Sequence, residues 1–185
     1  MAVKGPYLRA ADGRIVATRR LRAGDAGALQ AFYRSLSRKT LDFFPVDPES
    51  FDAIARQVAR AISGEDLAYV AVVDGAIVAF YFLCRIRGPV PTLGIVIGDA
   101  WQDQKLGRQM LTALLEEARS LGREAVDLTT MVHNDRAFHL YQSVGFRYVG
   151  RTTLQVGGGQ TRVERRLVYP LTANGVARLG ALRAD

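Results

Sequence analysis

Residues 102–108 of the sequence, QDQKLGR, have the composition of a turn that binds an anion and then opens a helix. The unpaired N–H groups of a helix's first turn, together with the helix dipole, form a natural anion site. Gly107 would let a phosphate approach the backbone closely. The alternative is the polar start of an ordinary helix, and the turn alone leaves that choice open.

A second stretch of candidate residues, HNDRAFHLYQSVGF, lies at residues 133–146. A helix that begins after Asn134 places Ala137, Tyr141 and Val144 on one face. The Asn134 amide could cap this helix or contact a ligand. Tyr141 is either a phenol that reaches a ligand or a core aromatic whose hydroxyl reaches the surface. Taken alone, this stretch favours the second interpretation.

Strand and helix periodicities surround these stretches and predict the frame that positions them. Residues 14–21 alternate as a strand, and Asp25 and Ser50 are predicted to cap two amphipathic helices. Asp74-Gly75 between two apolar runs predicts a hairpin. The predicted order is β-α-α-β-β-β-α-β-α-β-β, which is a single mixed α/β domain.

Composition and charge restrict the functional classes. A chain of 185 residues can bury a core without disulfides, and its single cysteine predicts a reduced, cytoplasmic setting. No spacing of metal ligands, signal peptide or membrane-length apolar run is present, so we expect neither a metal nor a membrane partner. The net charge of +7 attracts anions. The basic residues are spread along the chain, which argues against nucleic acid as the partner.

Together the two stretches resemble the GNAT superfamily of N-acetyltransferases. The family's phosphate turn, Q/R-x-x-G-x-G/A, is matched from Gln102 to Gly107, except that Lys105 replaces the first glycine. The family's N-x-x-A-x-x-L-Y-x-x-x-G-F pattern is matched at every position, by Asn134, Ala137, Leu140, Tyr141, Gly145 and Phe146.

The resemblance covers residues 14–170 and implies a mostly antiparallel mixed sheet that is splayed at a cofactor site. It leaves residues 1–13 as an N-terminal extension and 171–185 as a C-terminal tail. Residues 21–37 are also similar to the start of GNAT domains in bacterial protein-lysine acetyltransferases.

The resemblance implies acetyl-CoA as the acyl donor, with its pyrophosphate on the amides of residues 103–108. The pantetheine arm would lie between the strands at 92–98 and 125–131. Asn134 would bind near the thiol, and Tyr141 would act as the general acid toward the departing sulfur. The cofactor-binding residues implied in this way are Ile95, Val96, Ile97, Gln102, Asp103, Gln104, Lys105, Leu106, Gly107, Arg108, Asn134, Ala137, Phe138 and Tyr141.

The expected reaction is direct transfer of an acetyl group to a primary amine, on a small molecule, a protein lysine or a protein N-terminus. The amine must first lose a proton. Many relatives carry a glutamate on the strand before the phosphate turn, and TLGIVIG has none. Asp99 and His133 are the candidate bases, and a homodimer is left open.

Lys105 affects how tightly the turn can bind a phosphate. A left-handed conformation at a non-glycine residue costs roughly 1–2 kcal/mol, whereas a cation near the phosphates contributes roughly 0.2–1 kcal/mol. We interpret the turn as a working phosphate site of lowered affinity. The alternative is a non-catalytic protein that regulates through acyl-CoA binding, and a nucleic-acid-binding module is a third hypothesis.

Overall fold

The computed structural model describes residues 7–44, 46–156 and 160–182. No helix among these residues is long and apolar enough to cross a membrane. The elements, in chain order, are β1 (Tyr7–Arg9), β2 (Ile15–Arg20), α1 (Ala26–Arg34), α2 (Arg38–Phe43), α3 (Phe51–Ile62), β3 (Leu67–Val73), β4 (Ala76–Cys84), β5 (Thr92–Ile97), α4 (Leu106–Ser120), β6 (Ala125–Met131), α5 (Asp135–Val144), β7 (Arg147–Val156), β8 (Gln160–Pro170) and α6 (Ala173–Leu182).

The strands form one sheet in the order β1-β2-β3-β4-β5-β6-β8-β7. All neighbouring strands are antiparallel except β5 and β6, which are parallel and are in register at the pair Thr92 and Asp127. β4 and β5, in contrast, pair along the whole of β5. The two central strands therefore diverge beyond Thr92, which confirms the predicted mixed α/β fold with a splayed sheet.

Two hydrophobic clusters cover the opposite faces of this sheet. α4 lies on one face and contributes its apolar stripe to a cluster that we call the α4 face, with Leu106, Met110, Leu111, Leu114, Val126, Leu128 and Leu167. α1 and α3 lie on the other face and form a second cluster, which we call the α1 face, with Leu29, Phe32, Tyr33, Ile54, Val58 and Phe80. Each cluster fixes one wall of the gap between β5 and β6.

Local sequence signals explain most of the turns and caps. Asp74 and Gly75 both have positive φ values, 49° and 80°, as the predicted hairpin requires. Ser50 accepts a hydrogen bond from the Ala53 amide and caps α3 as predicted. The predicted cap by Asp25 is wrong, because its carboxylate instead accepts hydrogen bonds from Arg19 at 2.6 and 2.9 Å.

Three elements lie outside the predicted order, and each has little periodicity of its own. β1 has three residues and α2 has six, so neither is long enough to show a repeat. α6 lies in the predicted tail and is held by packing, since Leu179 is buried against Ala125 and Val168. Residues 1–6 of the predicted extension and 183–185 of the tail lie outside the described residues.

Gly94 supplies a packing test. A Cβ at this position would lie 2.2 Å from the Phe82 ring, which crosses β5 on the α1 face. We predict that Gly94→Ala lowers the free energy of unfolding by about 1–3 kcal/mol in urea titration, as overpacking generally does. Gly27→Ala, in the open first turn of α1, is the matched control and should raise it by roughly 0.5–1 kcal/mol. Equal stability of Gly94→Ala and the wild type would contradict the close packing of the Phe82 ring against residue 94.

Candidate active site

A cavity of about 900 Å³ lies where β5 and β6 diverge, between α2 on one side and α5 on the other. It opens at the carboxyl end of β5, next to the turn that leads into α4. The residues predicted from the sequence that line it are Ile95, Val96, Ile97, Asp99, Gln102, Gly107, His133, Asn134, Ala137 and Tyr141. The predicted residues that do not line it are Asp103, Gln104, Lys105, Leu106, Arg108 and Phe138.

The register of β4 and β5 determines which β5 amides face this cavity. The Gly98 amide donates to the Val78 carbonyl oxygen at 2.9 Å, and hydrogen-bonded pairs alternate along an antiparallel ladder. The amide of Val96 therefore points toward β4. Those of Ile95 and Ile97 point into the gap toward β6. Of the three predicted residues, these two can present N–H groups to a ligand there.

The turn before α4 has the conformation of an anion-binding corner. Lys105 is the N-cap of α4 and adopts φ 60° and ψ 9°, so the replaced glycine position does require the left-handed region. Asp103 is also left-handed, with φ 61°. The amides of residues 106–108 begin the helix and have no intrahelical acceptor. Buried Gly107 lets α5 approach, because a Cβ there would lie 3.0 Å from Leu140.

The N-terminal segment supports this turn from outside. The Ala11 amide donates to the Gln104 carbonyl oxygen at 3.0 Å, and the Asp12 amide donates to Gln104 Oε1 at 3.3 Å. The Gln109 side chain accepts from the Arg9 amide at 3.0 Å and donates to the Arg9 carbonyl oxygen at 2.8 Å. Gln104 and Gln109 thus hold the turn to a segment that is about a hundred residues away in sequence.

Charged side chains surround the turn unevenly. Arg108 donates to the carbonyl oxygen and hydroxyl of Ser143 at the end of α5, at 3.2 and 2.7 Å. Lys105 is exposed, and within the described chain it forms no ion pair. Arg136 was not predicted, yet its guanidinium lies 3.3 Å from Asp103 and donates to Gln102 Oε1 at 3.0 Å. Lys105 and Arg136 are the cations best placed for an anion here.

α5 brings the second sequence motif to the cavity. Asn134 caps the helix by accepting from the Ala137 amide at 3.2 Å, as predicted. The Tyr141 ring packs 5.9 Å from that of Phe146, and burial raises the pKa of the phenol to about 12. Phe138 instead lies under the Arg165 guanidinium, on the side of α5 that faces β8.

The two predicted bases lie in different environments. The Asp99 carboxylate accepts hydrogen bonds at 2.7 Å from the Ser37 amide, the Ser37 hydroxyl and the Thr40 hydroxyl. Burial raises its pKa, but these hydrogen bonds outweigh burial and lower the pKa below the ordinary value. Asp99 therefore anchors the start of α2 as a stable anion. His133 is exposed at the cavity mouth, with its ring 5.4 Å from that of Phe43.

Several cavity residues were not found from the sequence. Gln102 donates to Thr40 Oγ1 at 3.0 Å and to the Ile97 carbonyl oxygen at 3.1 Å, so Thr40 belongs to the site. Glu164 on β8 also lines the cavity and is only 5% exposed. The available signal was a glutamate flanked by arginines on a strand, and that pattern does not say which face is buried.

The sequence matches a family of acetyltransferases, and the fold matches solved acetyltransferase structures. The model of the Acetyltransferase (GNAT) family matches residues 29–146, which is more than half of the chain. The chain belongs to the GNAT family. This confirms the resemblance read from the two motifs.

Three relatives illustrate the range of the match. Over 113 residues the chain is 33% identical to a mycothiol acetyltransferase of Propionibacterium freudenreichii, covering 61% of this chain and 32% of that protein. The structure of YncA from Salmonella typhimurium with acetyl-CoA gives a TM-score of 0.69 at 17% identity, covering 85% and 94% of the two chains. Spermidine N-acetyltransferase from Vibrio cholerae, solved with CoA and spermine, gives 0.69 at 19% identity, covering 84% and 95%.

Lys105 allows the strain in the turn to be measured. We predict that Lys105→Gly unfolds with a free energy about 1 kcal/mol higher than Lys105→Ala, because glycine relieves a left-handed cost of roughly 1–2 kcal/mol and loses part of it to a more flexible unfolded chain. Both variants lack the charge, so the difference isolates the backbone. Urea titration measures it, and a less stable glycine variant would contradict the strain.

Proposed function

We propose that this protein transfers an acetyl group from acetyl-CoA to a primary amine, directly and within a ternary complex. The observation that carries this proposal is that a possible phosphate site lies next to an open gap in the sheet. An amide-rich corner at residues 103–108 lies next to a gap between parallel strands, and the gap is lined by free β5 amides and by Tyr141. Acetyl transfer in general follows from membership of the family.

The corner fits a diphosphate. Amides at the start of α4 offer hydrogen bonds and the positive end of the helix dipole. Lys105 and Arg136 add positive charge, and Arg108 reinforces the corner through α5. We assign the pyrophosphate of CoA to these groups, since no carboxylate other than that of Asp103 is hydrogen-bonded or ion-paired to them among the described residues.

The gap fits an extended arm that ends in a thioester. Ile95 and Ile97 offer N–H groups at the separation of alternate strand residues, as an added strand would need. We assign the pantetheine arm to this gap, with one of these amides stabilising the oxyanion. The side-chain oxygen of Asn134 accepts the hydrogen bond that caps α5, so its NH2 group can donate to the ligand. When bound, the cofactor supplies an activated acyl group.

Tyr141 is proposed as the general acid. Its pKa of about 12 keeps the phenol protonated at neutral pH, so it enters the reaction as a donor. Tyr141 lines the cavity, and we assign the departing sulfur to the space next to its phenol. General acid catalysis contributes roughly 10²–10⁴-fold, and a thiol leaves tolerably as a thiolate, which favours the lower end of that range.

The acceptor is proposed to be a primary amine because the cavity beyond the gap combines carboxylate and aromatic groups. A lysine-like amine at pH 7 requires about 4.6 kcal/mol to lose its proton, and an α-amine requires about 1.4 kcal/mol. His133, at the mouth, remains a proposed route for that proton. Asp99 is less suited to it, because its hydrogen bonds stabilise the carboxylate rather than a protonated form.

Release of the CoA thiol tests the function. We expect acetyl-CoA to yield free thiol at a rate that depends on an added primary amine, with the acetylated amine detected by mass spectrometry. A non-catalytic acyl-CoA-binding protein would give calorimetric heat with CoA but no amine-dependent thiol. Absence of binding to both CoA and acetyl-CoA would overturn both hypotheses.

Substitution of Tyr141 tests the acid. Tyr141→Phe is predicted to lower kcat about a hundredfold with little change in the KM for acetyl-CoA, because the phenol acts on the leaving sulfur and not on ground-state binding. Steady-state kinetics with the thiol assay measures both constants. Tyr7→Phe, at an exposed position on β1, is the control and should leave both unchanged. An unaltered kcat in Tyr141→Phe would exclude the assigned role.

A further inference from the structure

Glu164 differs from the other buried carboxylates in what it contacts. The three other carboxylates that are less than 9% exposed accept short hydrogen bonds from arginine or threonine donors. These satisfied residues are Asp25, with Arg19 and the Arg22 amide, Asp66, with Arg60 and the Arg85 amide, and Asp127, with Thr92 and Arg166. Among the described residues, no donor hydrogen-bonds the Glu164 carboxylate.

The nearest cation is already engaged with other groups. Arg162 Nε lies 3.9 Å from Glu164 Oε1, which is beyond hydrogen-bond distance. The same Nε lies 3.1 Å from the sulfur of Met131, and Nη2 donates to the carbonyl oxygen of Asp42. Arg162 therefore lowers the cost of the buried charge at a distance, and within the described part of the chain it leaves the carboxylate oxygens without a protein hydrogen-bond donor.

A carboxylate in this state needs a donor from the cavity, which either water or a ligand can supply. Burial of a charged acceptor without a hydrogen bond is strongly unfavourable, and native proteins rarely retain one. Glu164 lines the cavity, so a ligand can reach it. A primary ammonium group carries three N–H donors and a positive charge, and it complements the carboxylate in both respects.

The strand register places Glu164 on the opposite side of the sheet from Tyr141. Glu164 is in register with Met131 on β6, and its side chain alternates with that of Leu167, three residues along β8. Leu167 belongs to the α4 face, where Tyr141 also packs. Glu164 therefore points to the α1 face. The splay between β5 and β6 connects the two faces.

We propose that Glu164 is a catalytic residue that binds the ammonium group of the acceptor and removes its proton. This inference rests on the proposed acetyl transfer. One proton passes from R–NH3+ to the carboxylate, and the amine lone pair then forms the C–N bond at the thioester carbonyl. The C–S bond breaks, and Tyr141 protonates the departing thiolate. The proton lost by the new amide nitrogen restores the phenol, and the proton on Glu164 returns to water.

The walls around this carboxylate define the class of acceptor. Phe43 and Phe44 from α2, Phe82 from β4 and Leu154 from β7 all line the cavity. Leu154 is in register with Arg162 and so lies on the same face as Glu164. An apolar or aromatic stem would pack against these four side chains, with a single ammonium group at the buried carboxylate of Glu164.

A matched pair of probes tests the binding role without catalysis. 2-Phenylethylamine and 2-phenylethanol share an aromatic stem and differ in charge. With CoA present, we expect the wild-type protein to bind the amine at least tenfold more tightly than the alcohol, measured by ligand-observed NMR titration. Glu164→Gln keeps the size of the side chain and should remove this preference. Equal affinities in the wild type, or an unchanged preference in the variant, would overturn the proposal.

Kinetics test the proton transfer on the same variants. We expect Glu164→Gln to lower kcat/KM for 2-phenylethylamine at least a hundredfold, with the KM for acetyl-CoA within twofold and no loss in Tm. Glu65→Gln, an exposed glutamate that does not line the cavity, removes the same charge and should behave as the wild type. A large fall in the Tm of Glu164→Gln would show a structural ion pair with Arg162 instead.

The failure of this inference is distinguishable from failure of the proposed function. A wild-type protein that acetylates amines while Glu164→Gln keeps its kcat/KM within threefold contradicts the role of Glu164 only. A wild-type protein that binds CoA but acetylates no amine in a panel contradicts acetyl transfer, and with it the assignment of Glu164.

Discussion

The structure depends on the single parallel contact among the described strands of its sheet. β5 and β6 are in register at Thr92 and Asp127, and the Thr92 hydroxyl donates to the Asp127 carboxylate at 2.7 Å. Arg166 donates to the same carboxylate at 2.8 Å and ties β8 into the junction. Beyond this point the strands separate, and the amides that a parallel neighbour would have taken remain for a ligand. The single pairing of β5 with β6 thus produces both a hydrogen-bonded junction and an open gap.

This gap also gives the proposed active site two sides. α4 and α5 cover one face of the sheet and present backbone amides and Tyr141, whereas the other face presents Glu164 and aromatic walls. In a direct transfer the acceptor amine adds to the thioester carbonyl and the sulfur then departs, so the amine and the group that protonates the sulfur must both reach the same carbon centre. An uninterrupted sheet would separate these groups completely. In the proposed reaction, the divergence of β5 and β6 lets groups from both faces reach one thioester carbonyl.

The residues that could be predicted from the sequence are those governed by their neighbours in the chain. Asp74-Gly75 and Asn134 act within a few residues, so their hairpin and cap follow from local geometry. The left-handed position of Lys105 followed from a short motif. The environment of Glu164 could not be predicted from a short motif, because its burial depends on α2 and β6, which are far away in sequence. The position of Asp99 next to the phosphate turn could be predicted from the sequence, but its hydrogen bonds with Ser37 could not.

The attachment of residues 9–12 to Gln104 and Gln109 joins the chain's beginning to the ligand corner. A ligand that binds the corner more tightly when these hydrogen bonds are formed would, by thermodynamic linkage, also stabilise them. Opening of the first strand would then depend on whether the proposed cofactor occupies the corner. Amide hydrogen exchange at the amino-terminal edge would report the loading of a pocket that this edge does not line.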